Sequence, residues 1–242
     1  MRFSHSVSKV LVAVVTSAGL VLAAPAADAA MTARGSIGEA YVLGAKPRQK
    51  LRLLDKSGKV AQRGTADRFG SFIFRALKQG ASYKVQTGWK GKGKSTPAFK
   101  ILRAGANPPQ SFYSKIKLQP GLNYVTMRDG TSLAMTVRLP AGATSLDSGP
   151  FPTLIEYSGY QTAAPGDLLS GFLSGDLSNP LLPSTSTVLG SLLGQQLGFA
   201  TVSVQMRGSG CSGGAFDLFD LPTTYDGYDA VETVGAQPWV KG

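Results

Sequence analysis

Gly198-Phe199-Ala200-Thr201-Val202-Ser203-Val204, running on through Gln205-Met206-Arg207-Gly208-Ser209-Gly210-Cys211-Ser212-Gly213-Gly214, is the stretch on which the fold turns. Its first part is an apolar run with β-branched residues, the pattern of a strand buried on both faces. Upstream, Val188-Leu189-Gly190-Ser191-Leu192-Leu193-Gly194-Gln195-Gln196-Leu197 has helical spacing, and Pro152-Thr153-Leu154-Ile155-Glu156-Tyr157 is a second compact apolar strand. Strand, helix, strand predicts a parallel sheet covered on both faces, hence an α/β class. Before it, Tyr124-Val125-Thr126-Met127 and Leu133 to Leu139, joined by the turn Arg128-Asp129-Gly130-Thr131 and stopped by Pro140, read as a β-hairpin. After it, from Thr224 onward, Tyr225, Tyr228, Val231 and Val234 fall three apart and predict a second covering helix. Asp226 and Asp229 sit in its expected first turn, where the helix dipole favours anions, and Pro238 follows its end.

The glycine-rich loop after the strand contains a Gly-x-Gly-x-x-Gly string and, from Gly210 to Gly214, a Gly-x-Ser-x-Gly string. A dinucleotide turn must open directly into a helix, but Ala215-Phe216-Asp217-Leu218-Phe219-Asp220-Leu221-Pro222 intervenes. A nucleophile elbow must pass from strand to serine to helix within a few residues, and Ser212 lies several residues past the strand. The only histidine is His5, inside an expected leader, so the mature part has no imidazole for a Ser-His-Asp triad or a Cys-His dyad. With Cys211 the sole cysteine, no internal disulfide forms and soft metal ligands are too few. Arg207, Gly208, Gly210, Ser212 and Gly213 therefore read as a structural loop in which Arg207 bonds nearby carbonyls or Asp217. Ser212 as a nucleophile with an unusual base, such as a lysine, is the alternative. No cofactor and no metal are expected.

Charge divides the chain. Residues 31–120 hold nineteen basic and three acidic side chains, whereas residues 121–242 hold four and ten, within an overall charge of +11. Such asymmetry predicts two domains with different surfaces. Ahead of both, Arg2 and Lys9 precede a fifteen-residue run free of charge from Val10 to Ala24, which Pro25 ends before Ala27-Asp28-Ala29. A charged start, a short apolar centre and an Ala-x-Ala site describe a secretory signal peptide over residues 1–30, and place the mature protein outside the cytoplasm.

In the basic part, Leu51-Arg52-Leu53-Leu54, the turn Asp55-Lys56-Ser57-Gly58, Lys59-Val60-Ala61, Phe69 to Phe74, and Tyr83 with Val85 give short strands at close spacing, the pattern of a small β-sandwich. Over Asp55 to Val85 the series Asp-x-x-Gly, Thr-x-Asp-x-x-Gly-x-Phe-x-Phe, Gly-x-x-Tyr-x-Val resembles the carboxypeptidase-regulatory-like, prealbumin-type sandwich modules. Lys90, Lys92 and Lys94, interleaved with Gly91 and Gly93, are either a patch drawn to anionic envelope polymer or a solvated hairpin tip. Nucleic acid is not an expected partner, because no aromatics are interleaved with the lysines.

Taken in order, Tyr124 to Leu133, Pro152 to Tyr160, Gly198 to Phe216, Tyr225-Asp226-Gly227-Tyr228-Asp229-Ala230-Val231-Glu232 and Gln237-Pro238-Trp239-Val240 resemble the Xaa-Pro dipeptidyl-peptidase and cocaine-esterase-like family of α/β-hydrolases. The resemblance covers about residues 122–242. It implies a serine hydrolase acting on ester or amide bonds, with Tyr160 donating its hydroxyl to the oxyanion; a packed aromatic is the other reading of Tyr160. In that family Gln-Pro-Trp is followed by a strand and the nucleophile elbow. The expected architecture is thus a leader (1–30), a basic β-sandwich (31–118) and an incomplete α/β-hydrolase domain (119–242), inactive alone, with the last strand left as an apolar sheet edge. A secreted binding module is the alternative function. The loop from Thr162 to Thr187, with Leu168, Leu169, Phe172, Leu173 and Leu177, is either a lid over an acyl pocket or a connection.

Overall fold

The computed structural model of the protein describes residues 30–160, 163, 185–217 and 219–241. The leader lies outside the described residues, as do Leu168, Leu169, Phe172, Leu173 and Leu177 of the connecting loop.

The first half forms two antiparallel sheets. β1 (Thr32–Gly35), β2 (Ala40–Leu43) and β5 (Phe72–Phe74) make one, in the order β1-β2-β5. β3 (Lys50–Asp55), β4 (Val60–Thr65), β6 (Ser82–Thr87) and β7 (Phe99–Lys100) make the other, in the order β4-β3-β6-β7. Residues from both meet in one apolar cluster: Ala40, Val42 and Phe74 from the first sheet, Leu51, Leu53 and Val85 from the second. Period-two alternation in β6, where Tyr83 and Val85 are buried between exposed Ser82 and Lys84, sends one face inward. The predicted turn forms as read: the Asp55 carboxylate accepts from the amides of Ser57 at 2.9 Å and Lys59 at 3.0 Å, while Gly58 takes φ +85. The Lys90 to Lys94 tip is exposed yet held at its base, where the Thr87 amide donates to the Lys94 carbonyl at 2.9 Å.

A short helix, α1 (Gln110–Ser114), links the halves and packs on the last helix. The second half is a mixed sheet of β8 (Gly121–Thr126), β9 (Ser132–Arg138), β10 (Thr153–Ser158) and β11 (Ala200–Gln205), in the order β10-β11-β9-β8. β8 and β9 are the expected hairpin, and β10 and β11 are parallel, from Thr153 opposite Ala200 to Ser158 opposite Gln205. Helix α2 (Thr185–Gln196) crosses between the parallel pair and packs on both strands, as spacing predicted. Leu133, Met135, Val137, Val202, Val204, Ala230, Val234 and Trp239 form the core, which reaches back to Leu118.

Two expectations are corrected. β11 is not the sheet edge: β9 returns antiparallel along it from Arg138 opposite Thr201 to Met135 opposite Val204, so it is paired on both sides. The edges are β10 and β8, and a further parallel rung has begun along β10. The Phe151 amide donates to the Trp239 carbonyl at 2.8 Å and the Lys241 amide to the Phe151 carbonyl at 2.8 Å, pairing Phe151 with Val240. Second, helix α3 (Leu221–Gly235) starts ahead of Thr224, because the Asp220 carboxylate accepts from the Thr223 amide at 2.7 Å and Pro222 occupies the first turn. Asp226 and Asp229 are therefore interior and buried rather than first-turn anions. The stripe read as apolar is largely outward: Tyr228 and Val231 are exposed, and Thr223, Asp226, Asp229, Ala230, Thr233 and Val234 face inward.

Candidate functional site

In an open parallel sheet, ligands meet the carboxyl ends of the strands. Here β10 ends at Ser158 and β11 at Gln205, directly opposite one another, and the Met206 amide donates to the Ser158 carbonyl at 2.9 Å to hold the two exits together. Two residues past Ser158 stands Tyr160. Its amide donates to the Ser158 hydroxyl at 3.1 Å, fixing the backbone, while its side chain is 75 % exposed. It is therefore not a packed aromatic, and among the described residues its hydroxyl makes no hydrogen bond.

Beside it the glycine-rich loop folds back on itself. The Gly208 amide donates to the Gly213 carbonyl at 2.8 Å, and the Gly213 amide to the Ser132 carbonyl at 2.7 Å. Gly208 has φ +67, and a Cβ there would lie 2.0 Å from the Phe216 nitrogen. Only glycine fits. The Ser212 hydroxyl donates to the Gln205 carbonyl at 2.7 Å and accepts from the Ala134 amide at 2.9 Å. Both of its main bonding directions are thus spent tying the loop to β9 and β11. Among the described residues no general base bonds to this hydroxyl, and the structural-loop reading of Ser212 fits this geometry. Cys211 is free and exposed.

Arg207 does more than cap carbonyls. Its guanidinium is 2 % exposed; Nε and Nη2 each reach an oxygen of Asp226 at 2.6 Å, and Nη1 reaches Asp129 at 2.9 Å. Its partners are these two carboxylates, whereas Asp217 bonds Arg75. Burial disfavours the charge, but the carboxylates outweigh it and push the pKa of Arg207 up. Asp129 also accepts from the Ser36 hydroxyl and from the Thr131 amide at 2.9 Å. Burial opposes its ionisation too, yet Arg207, Ser36 and Thr131 together hold its carboxyl below the ordinary 3.8. A parallel web joins Arg128 to Asp229 at 2.6 Å, with the buried Tyr113 hydroxyl donating to the same Asp229 at 2.8 Å. Sequence reading treated Arg128 and Asp129 only as turn residues. The signal for their role is two arginines, Arg128 and Arg207, and three aspartates, Asp129, Asp226 and Asp229, on the same half, with no apolar reason to be buried. Ser36 and Tyr113 come from outside the hydrolase-like segment, so these webs also fasten the first half to the second.

Residues 129–242 match the family model described as X-Pro dipeptidyl-peptidase (S15 family). Among solved structures, an α/β serine hydrolase without lid from Xanthomonas campestris is 18 % identical, with a TM-score of 0.32, over 54 % of this chain and 48 % of that one. The chain thus spans about half the length of that structure. No curated protein matches.

Proposed function

We propose that residues 119–242 are the amino-terminal portion of the catalytic domain of an extracytoplasmic serine hydrolase that cleaves ester or amide bonds, with Tyr160 as a donor to the oxyanion. The observation that carries this reading is the parallel rung on β10. Trp239, Val240 and Lys241 lie along its outer edge in register with Phe151, the position from which a following strand would extend the sheet beside β10. A strand laid there would end next to Tyr160. The family resemblance expects the nucleophile elbow at that strand's end, and the matched family's description names X-Pro peptide bonds as one substrate class. The apolar run and Ala-x-Ala site of residues 1–30 support export.

A phenol hydroxyl carried just past a strand's carboxyl end suits the charge that develops on a carbonyl oxygen as a nucleophile adds to it. One such donor contributes roughly 3 kcal/mol to lowering the barrier. The lack of an imidazole outside His5 and the engaged hydroxyl of Ser212 support the reading that these 242 residues do not turn over substrate by themselves. A fluorophosphonate probe tests this. The 242-residue chain stays unlabelled, and a chain carrying the downstream strand, elbow, acid and histidine of the family is labelled outside residues 1–242. In the active form Tyr160→Phe lowers kcat about 100-fold without moving Tm, because the side chain is exposed. Labelling of Ser212 in the 242-residue chain would overturn the proposal.

One feature favours a second role for the first half, attachment to anionic envelope polymer. Exposed Lys90, Lys92 and Lys94 adjoin the exposed Trp89, over whose ring the Lys50 ammonium sits at 4.1 Å. Charge and an amphipathic ring together suit a polyanionic surface. Retention on such a polymer that is lost in high salt and in the triple Lys→Ala variant supports it; retention unchanged by either refutes it.

A further inference from the structure

Apart from the strand ends, one group of side chains lies between the two halves and has no part in the hydrolase reading. Glu39, immediately before β2, meets Asp217 and Asp220 from the segment between the glycine-rich loop and α3, with one oxygen of each within 4.8 Å of the others. Glu39 is only 6 % exposed. Its carboxylate has no hydrogen bond and no ion pair within contact distance among the described residues, although the Glu39 carbonyl is satisfied by the Ser36 amide at 2.8 Å. Asp220 points an oxygen into the same place: one accepts from the Thr223 amide to cap α3, and the other, Oδ2, is buried without a partner. Arg75 pairs with Asp217 and answers one of the three charges. Arg207, which also feels Glu39, is already committed to Asp129 and Asp226.

Burying an unpaired carboxylate costs several kcal/mol, and nature's usual remedies are a partner, a proton or a cation. Here the oxygens converge on one another instead of dispersing towards water. Burial, with Asp220 alongside, raises the Glu39 carboxyl to about 7, the response of a group short of counter-charge. The donor set is all carboxylate, with no His or Cys among it, which selects hard cations over zinc or copper. Calcium takes six to eight oxygens at roughly 2.3–2.6 Å in forgiving geometry. Three carboxylates supply three to six of these, and the half-buried faces of Asp217 and Asp220 admit water for the remainder.

We propose that Glu39, Asp217 and Asp220 bind a calcium ion that clamps the first half of the chain to the loop and helix α3 of the second. Bound, the ion satisfies Glu39 and the orphan oxygen of Asp220 at once, and it fixes the segment leaving the glycine-rich loop. The inference does not depend on the hydrolase reading, since it concerns binding and stability of the chain as it stands.

The test is calcium binding to the whole chain by titration calorimetry after EDTA treatment and dialysis, with thermal melts alongside. The expected result is saturable binding of about one ion per chain, a Tm that climbs with calcium concentration by mass action, and a weaker response to magnesium, which demands a tighter octahedron. Glu39→Gln and, separately, Asp217→Asn each weaken binding at least tenfold; the second is surface-accessible and keeps the fold even where the first does not. Absence of saturable binding with a calcium-indifferent Tm overturns the proposal. So does binding that survives both substitutions. If Glu39→Gln stabilises the chain at neutral pH and calcium has no effect, the site holds a proton, and the proposal is equally refuted.

Discussion

Replacing Arg207 by methionine removes the cation that binds both oxygens of Asp226. Both Asp226 oxygens are spent on the guanidinium at 2.6 Å, and the residue is 1 % exposed. Asp129 fares better, since the Ser36 hydroxyl and the Thr131 amide remain. Leaving a buried carboxylate without its partner costs about 3–5 kcal/mol. In a chain of this length each kcal/mol moves Tm by roughly 2–4 °C, so the expected drop is roughly 6–20 °C. The measurement is thermal and urea denaturation at neutral pH, in low and high salt. Because the pair is buried, the loss barely changes with ionic strength. The companion variant separates charge from packing: Arg207→Met with Asp226→Asn removes the stranded charge and recovers more than half of the stability. A loss below about 1 kcal/mol, within the range of an exposed pair, or a double variant no more stable than the single one, would refute the reasoning that this web is a desolvated charge cluster.

Three further outcomes follow from the same geometry. Gly208→Ala places a Cβ 2.0 Å from the Phe216 nitrogen at φ +67, so urea denaturation should show a loss above about 2 kcal/mol. Ser212→Ala strands the Ala134 amide and should cost about 1–2 kcal/mol in the same assay while leaving probe labelling of an active, extended form unchanged. Asp129 has a carboxyl pKa depressed by Arg207, Ser36 and Thr131 against burial, with Asp226 the other acid on the same guanidinium. Its contribution is complete above the unfolded value near 3.8 and disappears as pH falls through the lower folded value, so Asp129→Asn should flatten the acid limb of a Tm-against-pH profile.

Which of these features could be read along the chain follows from how far their causes reach. β10, α2 and β11 were legible because each rests on a local apolar run, and the β8–β9 hairpin because Asp129-Gly130 punctuates it. The start of α3 was also written locally, as Asp220 followed by Pro222, but the spacing of Tyr225, Tyr228 and Val231 drew the boundary later. Of these, Tyr228 and Val231 mark the outward face, because the inward face must serve Arg207 and Arg128, whose partners lie 19 and 101 residues away. Burial of charge is decided by such pairings, and no window of neighbouring residues contains them. The antiparallel return of β9 along β11, which moves the edge to β10, is long-range in the same way.

The glycine loop makes the point most sharply. Phosphate binding, a nucleophile turn and a tight structural loop all need glycine where something approaches the backbone, so the strings Gly-x-Gly-x-x-Gly and Gly-x-Ser-x-Gly cannot say what approaches. In the fold the answer is other parts of the protein. A Cβ at Gly208 would meet the Phe216 backbone at 2.0 Å, one at Gly210 the Gln205 side chain at 2.7 Å, and one at Gly214 the Thr131 side chain at 2.9 Å. All three glycines are accounted for by protein contacts from Gln205, Thr131 and Phe216, so the loop serves to hold the strand ends of β9 and β11 together.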